Sequence, residues 1–268
     1  MRTDGSPRVP ADVRRQGSGL GVIPFVTAGY PSLASTSGLL PRLAAAGARV
    51  IEVGIPFSDP IADGPVIAES MHRALAAGCT PFKVFEAVRA ARAGVDASLA
   101  AMVSHSIVAR IGMASFVGQA REAGFDAMIV PDVDLDDAPA LRTSCDANGM
   151  ALTLLVAPTS PVERIRRITE LCSGFVYALA RVGITGERTD LPDIAPLVAR
   201  VRACTERPVA VGFGISTPEH VRAVLQHADG AIVGSALVRR MREAVDAGRP
   251  AEDAAERLVA SLAAAVRQ

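Results

Sequence analysis

The chain has 268 residues, half of them hydrophobic, and its 28 Lys+Arg balance 28 Asp+Glu. That length fits one α/β barrel or two smaller domains and allows a large core, and zero net charge argues against nucleic acid or an anionic membrane as the main partner. No apolar run approaches the roughly 20 residues of a membrane-spanning helix.

Residues 1–18 carry Arg2, Arg8, Arg14 and Arg15 with no apolar stretch behind them, so they read as a short N-terminal extension and not a secretory leader. From Gly19 onward strand and helix signals alternate. Gly21–Thr27 predicts a strand, and Leu33–Ala46 a helix that Pro41 should kink. Arg49–Phe57 predicts the second strand, with helices at Pro65–Ala77 and Thr80–Ala93. A third strand is expected at Ser98–Ser104 with a helix at Met113–Ala123, and a fourth at Ala127–Val133. The acidic run from Asp132 to Asp137 then leads into a helix ending near Asn148-Gly149. Strand five is expected at Ala151–Ala157, with Ser160 capping a helix over Pro161–Leu171 and Glu163 at the capping-box position. Strands six to eight fall at Gly174–Ala180, Pro208–Phe213 and Ala231–Val233. Their helices span Asp193–Cys204, Pro218–His227 (capped by Thr217), Leu237–Ala247 and a C-terminal Ala251–Val266.

Eight strand–helix units predict a single α/β (β/α)8, or TIM, barrel over residues 19–268. An open doubly wound sheet is the competitor, since periodicity does not show closure. No G-x-G-x-x-G follows the first strand, which weakens a dinucleotide-binding reading.

The widely spaced Cys79, Cys145, Cys172 and Cys204 read as reduced thiols of a cytoplasmic protein. Lys83, the single lysine, lies on a predicted helix, so no Schiff-base lysine is available at a strand end. His72, His105, His220 and His227 are scattered, against a multi-histidine metal site. Carboxylates and fixed dipoles remain. Glu52 sits inside a strand that should be covered on both sides, where burial raises a carboxyl pKa into the proton-transfer range. Eleven residues on, Asp63 occupies an Ala-Asp-Gly-Pro turn, giving one acid on a strand and one on the loop above it. A salt-bridged Glu52 and a helix-capping or turn-forming Asp63 are the plainer alternatives.

Barrel sites lie on the loops after the strands, with phosphate held after strands seven and eight. Here those loops are Gly212-Phe213-Gly214-Ile215-Ser216 and Gly234-Ser235-Ala236, whose glycines let amides approach an anion or simply form turns. After strand six, Gly183-Ile184-Thr185-Gly186-Glu187-Arg188 suits a closing lid or a long surface loop. Phe25, Ile67, Val130, Tyr177 and Phe213 are candidates to line an apolar cavity, with core packing the plainer account of each one singly.

The run Glu52-Val-Gly-Ile-Pro-Phe-Ser-Asp-Pro-Ile-Ala-Asp-Gly-Pro65, with Pro24–Pro31, Arg181–Gly186 and Gly212–Ser216, resembles the tryptophan synthase α-subunit family from about Gly21 to Arg240. The resemblance implies retro-aldol cleavage of indole-3-glycerol phosphate to indole and glyceraldehyde 3-phosphate. It also implies an α–β–β–α assembly in which indole passes to a β subunit. Pyridoxal phosphate belongs to that β subunit, with no cofactor or metal on this chain. It makes Glu52 the general acid/base and Asp63 the acceptor for the indole N–H, with Thr185 positioning Asp63. Phe25, Tyr177 and Phe213 would line the substrate site, and Gly186, Gly214, Gly234 and Ser235 would hold phosphate. Asp59 would lie in the loop meeting the β subunit. The sequence departs from the family at Val103 and His105, where an aromatic residue and Asn are usual, at Val182 in place of Ser, and at Asp134 in place of Pro. A stand-alone lyase and a non-catalytic phosphoester-binding regulator remain as alternatives.

Overall fold

The computed structural model describes residues 19–60, 63–181, 192–212 and 214–266. Among these residues, nine strand segments all pair in parallel. They are β1 (Gly21–Thr27), β2 (Val50–Gly54), β3 (Ser98–Met102), β4 (Ala127–Ile129), β5 (Ala151–Thr153), β6 (Leu155–Val156), β7 (Val176–Leu179), β8 (Val209–Gly212) and β9 (Gly230–Val233). β5 and β6 are two halves of one stave, parted only by Leu154. β5 pairs with β4 and β6 with β7, so that single segment joins the two ends of the sheet. The ring closes with eight staves. At the break, the Leu154 N–H donates to Cys172 Sγ at 3.4 Å and its carbonyl accepts from the Tyr177 N–H at 3.1 Å.

The eleven helices among the described residues are α1 (Leu33–Ala45), α2 (Pro65–Ala76), α3 (Pro81–Ala91), α4 (His105–Ile111), α5 (Met113–Ala123), α6 (Ala138–Ala147), α7 (Val162–Leu171), α8 (Ala195–Arg202), α9 (Pro218–Leu225), α10 (Ser235–Asp246) and α11 (Ala251–Ala264). None is long and apolar enough to cross a membrane. Their apolar faces cover the outside of the ring, and α11 packs on α10 and α1. A second cluster fills the interior, built from alternate strand residues: Ile23, Val50, Ala100, Ala127, Ile129, Ala151, Phe175, Tyr177, Ala210 and Ile232. Alanines on four staves leave room for the larger side chains of the others.

Four local expectations change. α1 runs unbroken through Pro41. The helix α4 was not foreseen: it is short, begins at the Ser104 cap and stops at Gly112, whose φ is +93°. The stave predicted as Ala151–Ala157 breaks at Leu154. Ser160 does not cap α7; its Oγ accepts from the Ala157 N–H at 3.1 Å, and Pro161 occupies the capping position without a side-chain bond. Thr217 does cap α9, accepting from the His220 N–H at 3.2 Å.

At the N-terminal rim a clasp recurs. Asp126, just before β4, accepts from the Leu99 N–H of β3 at 3.0 Å and pairs with Arg92 at 3.2 Å. Asp229, just before β9, accepts from the Val209 N–H of β8 at 2.8 Å and pairs with Arg202 at 3.2 Å. Each carboxylate fastens neighbouring staves and neutralises an arginine behind them.

Candidate active site

Residues two apart on a strand share a face, so Glu52 follows Val50 into the barrel interior. Its side chain is 0% exposed, and neither carboxyl oxygen has a hydrogen-bond partner among the described residues. Burial raises its pKa well above the ordinary carboxyl value. No ion pair to Glu52 is found among the described residues, so the salt-bridged alternative has no support.

Asp63 comes from the turn before α2. Its N–H donates to the Pro60 carbonyl at 3.0 Å, and Gly64, not Asp63, is the N-cap of the helix. The carboxyl is therefore not spent on capping. It is half-buried, and burial pushes its pKa up to about 6, with no cation among the described residues to lower it. Tyr177 on β7 reports on both acids: its pKa is raised well above the usual value by burial first, then by the charges of Glu52 and Asp63. All three groups therefore face one region at the C-terminal mouth.

Two aromatic rings wall that region, each resting on a glycine of the next stave. A Cβ at Gly54 would lie 2.5 Å from the Phe25 ring, and one at Gly212 would lie 2.4 Å from the Tyr177 hydroxyl. Phe25 is the register partner of Glu52. Phe25 and Ile67 of α2 both come within 3.6 Å of the Cβ position of Gly234. Val130 does not belong here: it follows the inward-facing Ile129 and so lies in the outer core beneath the helices. Thr153, by contrast, follows Ala151 onto the inward face, fully buried with its hydroxyl unpartnered among the described residues. Strand parity could have found it, but a threonine in an apolar run carries no other signal.

Beside the rings, Gly214 follows β8 by two residues with φ +84°. Gly234 is the N-cap of α10, and Ser235 is its first residue. The first amide bonded inside the helix is that of Val238, which donates to the Gly234 carbonyl at 3.0 Å. The N–H groups of residues 235–237 thus lack an intrahelical acceptor and lie at the positive end of the helix dipole. Both Gly234 and Ser235 are half-exposed. The expected Thr185, Gly186, Arg188 and Phe213, and the departure at Val182, lie outside the described residues.

Asp59 is exposed between β2 and α2, away from the interior. On the same end of the barrel, Asp132 accepts from the Ser104 hydroxyl at 2.7 Å and the His105 N–H at 2.8 Å, joining the loops after β3 and β4. His105 thus enters this contact through its backbone, while Val103 is buried in the outer core.

The family model for the tryptophan synthase alpha chain matches residues 12–267. A tryptophan synthase alpha chain from a Synechococcus strain is 44% identical over 87% of this chain and 87% of its own. One from Methanosarcina mazei is 43% identical over 90% and 88%. Among solved structures, a Mycobacterium tuberculosis tryptophan synthase superposes with TM-score 0.87 at 32% identity, covering 100% of both chains. The α subunit of Pyrococcus furiosus tryptophan synthase gives 0.84 at 34% identity, over 91% of this chain and 98% of that one. With nearly the whole barrel matched in sequence and in backbone, the chain belongs to the tryptophan synthase alpha chain family.

Proposed function

We propose that this chain is the α-reaction lyase of tryptophan biosynthesis, cleaving indole-3-glycerol phosphate to indole and glyceraldehyde 3-phosphate with Glu52 and Asp63 as its catalytic residues. The observation that carries the site assignment is the Glu52 carboxyl, fully buried and unpartnered among the described residues at the inner face of the mouth. A group kept neutral by burial can give a proton and later take one.

The carbon–carbon bond cannot break while its electrons have nowhere to go. Neutral Glu52 first protonates indole C3, which makes that carbon tetrahedral and places positive charge on the ring nitrogen. Asp63, as carboxylate, accepts from the ring N–H and lowers the energy of that cation. Glu52, now ionised, removes the proton from the adjoining carbinol hydroxyl. The carbonyl forms, the C–C bond breaks and its electron pair returns to the ring. One proton enters and one leaves, both at Glu52, so the step balances without a metal or redox partner. Phe25 and Tyr177 would flank the indole. Gly214, Gly234 and Ser235 would hold the phosphate on backbone amides.

We assign the chain a β-subunit partner, reached in part through the exposed turn at Asp59. A Pyrococcus furiosus relative of 34% identity is described as an α2β2 complex, which supports this assembly. Pyridoxal phosphate would reside on that partner and no cofactor on this chain. The free, largely buried thiols fit a cytoplasmic setting.

Indole release from indole-3-glycerol phosphate, measured with and without a β subunit, tests the reading. Glu52→Gln should lose at least about 10²-fold in rate, the usual contribution of a positioned acid/base. An unchanged rate in that variant would sink the catalytic assignment.

A further inference from the structure

Among the described residues no cap bond, cation or donor holds the Asp63 side chain, and its backbone leads directly into α2. What holds that helix is a buried pair of hydroxyls. Ser70 Oγ donates to the Ile67 carbonyl in the first turn of α2 at 2.7 Å, and Ser70 Oγ and Thr27 Oγ1 lie 2.7 Å apart. A serine hydroxyl has a single proton, and here the carbonyl receives it; Thr27 must therefore be the donor in the second bond. The chain of donors runs from Thr27, the last residue of β1, through Ser70 to the carbonyl of Ile67. Both hydroxyl residues are only 2% exposed.

Its two ends matter. Thr27 follows Ile23 and Phe25 on the same strand face, so the bond draws α2 toward the inward edge of the rim. Ile67 lies four residues after Asp63, and its side chain touches the Cβ position of Gly234 at 3.6 Å. On another side of the helix, Glu69 pairs with Arg242 of α10 at 2.9 Å and with Arg73 at 2.6 Å. Those pairs are half-exposed and contribute little to placement. The buried hydroxyls are satisfied only in one arrangement, which makes them the stricter constraint.

We propose that Thr27 and Ser70 are positioning residues, whose linked hydroxyls set the first turn of α2 on β1 and so hold Asp63 over the cavity and Ile67 against the anion cradle. This rests on the reading of Asp63 given above. Neither residue touches the reacting atoms. A purely packing role makes a different prediction: Ser70→Ala would then leave turnover alone, since the Ile67 carbonyl keeps its helical bond.

The test is steady-state indole release by the full chain with its β subunit, for Thr27→Val, Ser70→Ala, the double variant and the conservative Thr27→Ser. Displacing a reacting group by about 1 Å costs up to ~10²-fold. The single variants should therefore lose about tenfold or more in kcat, with KM changed less than about twofold. The double variant should be no worse than the worse single one, and Thr27→Ser should return kcat to native. Native kcat in both single variants, even with a lowered melting temperature, overturns the proposal, as do losses that multiply in the double variant. Ser70→Ala adds no volume and keeps helix propensity, so it decides alone if Thr27→Val does not fold. Asp63→Asn is measured alongside. If it is inactive while the hydroxyl variants are native, positioning alone fails; if it is itself native, the site reading beneath it fails.

Discussion

Gly212→Ala tests whether the Tyr177 ring shapes the cavity. The new Cβ would lie 2.4 Å from the Tyr177 hydroxyl and 2.7 Å from Cε1 and Cζ, whereas ordinary contact begins near 3.4 Å. The ring must withdraw by about 1 Å, the shortfall between those separations. It is only 6% exposed and packed among Ala210, Phe175 and Leu179, so the open direction is the cavity itself. Such overpacking costs about 1–3 kcal/mol of stability. A ring pushed into the substrate space should lower kcat/KM by about 10²-fold. Urea denaturation and indole release over a range of substrate concentrations measure the two effects. In a Tyr177→Phe background the contact to the hydroxyl disappears but the ring contacts remain, so recovery should be partial. Native stability together with native kcat/KM in Gly212→Ala would refute the reasoning, because it would mean the ring is not seated on that glycine.

Glu52→Gln should separate stability from activity. The raised pKa of Glu52 means the folded chain is most stable below the unfolded carboxyl value and loses that stability as pH rises through the folded one. The glutamine variant should therefore match the native chain near pH 4 and exceed it increasingly toward pH 8, an ordering that denaturation at both ends checks. For Asp63, raised from 3.8 to about 6, the same sign applies. At about 1.4 kcal/mol per pH unit the native chain gives up about 3 kcal/mol above pH 6, and Asp63→Asn should recover most of it. The pH–rate profile should rise through about 6 as Asp63 ionises and fall at higher pH as Glu52 loses its proton; a profile flat across pH 5 to 7 would contradict the Asp63 role. At the opposite end of the barrel, Asp126→Ala leaves Arg92 without that carboxylate and should cost about 3–5 kcal/mol while kcat at 25 °C stays native.

How much of this was legible depended on whether a residue's setting is local. Alternation of apolar strands with capped helices carried the barrel, and closure followed from one stave that pairs on both sides. The break at Leu154 was not legible, because it depends on a Cys172 thiol 18 residues away. Ser160 followed the local capping rule and was drawn instead into a turn with Ala157. Glu52 could be read from strand parity, since a carboxyl in a run of Val and Ile has few places to point. Val130, one position out of that parity, takes the packing role and not the cavity one. The roles of Gly54 and Gly212 were invisible, because only a neighbouring strand shows which ring needs the missing Cβ.

The two ends of the barrel treat their acids in opposite ways, and the contrast locates the chemistry independently of any motif. At the N-terminal rim, Asp126 and Asp229 each receive a backbone N–H and an arginine. A fold selected for stability alone would treat every buried acid so, because an unsatisfied polar group costs about 1–3 kcal/mol. At the C-terminal mouth the described residues leave Glu52 wholly buried with neither partner, give Asp63 in its half-buried turn no cation, and set Tyr177 beside both. Arginines are not scarce: Arg73, Arg239 and Arg242 all lie on helices that border this end and pair with Glu69 or Glu243 instead. Supplying one of them to Glu52 would stabilise the carboxylate and remove the proton that the acid must donate. The destabilised carboxyl is what a single group needs in order to serve as donor in one half of the cleavage and acceptor in the other.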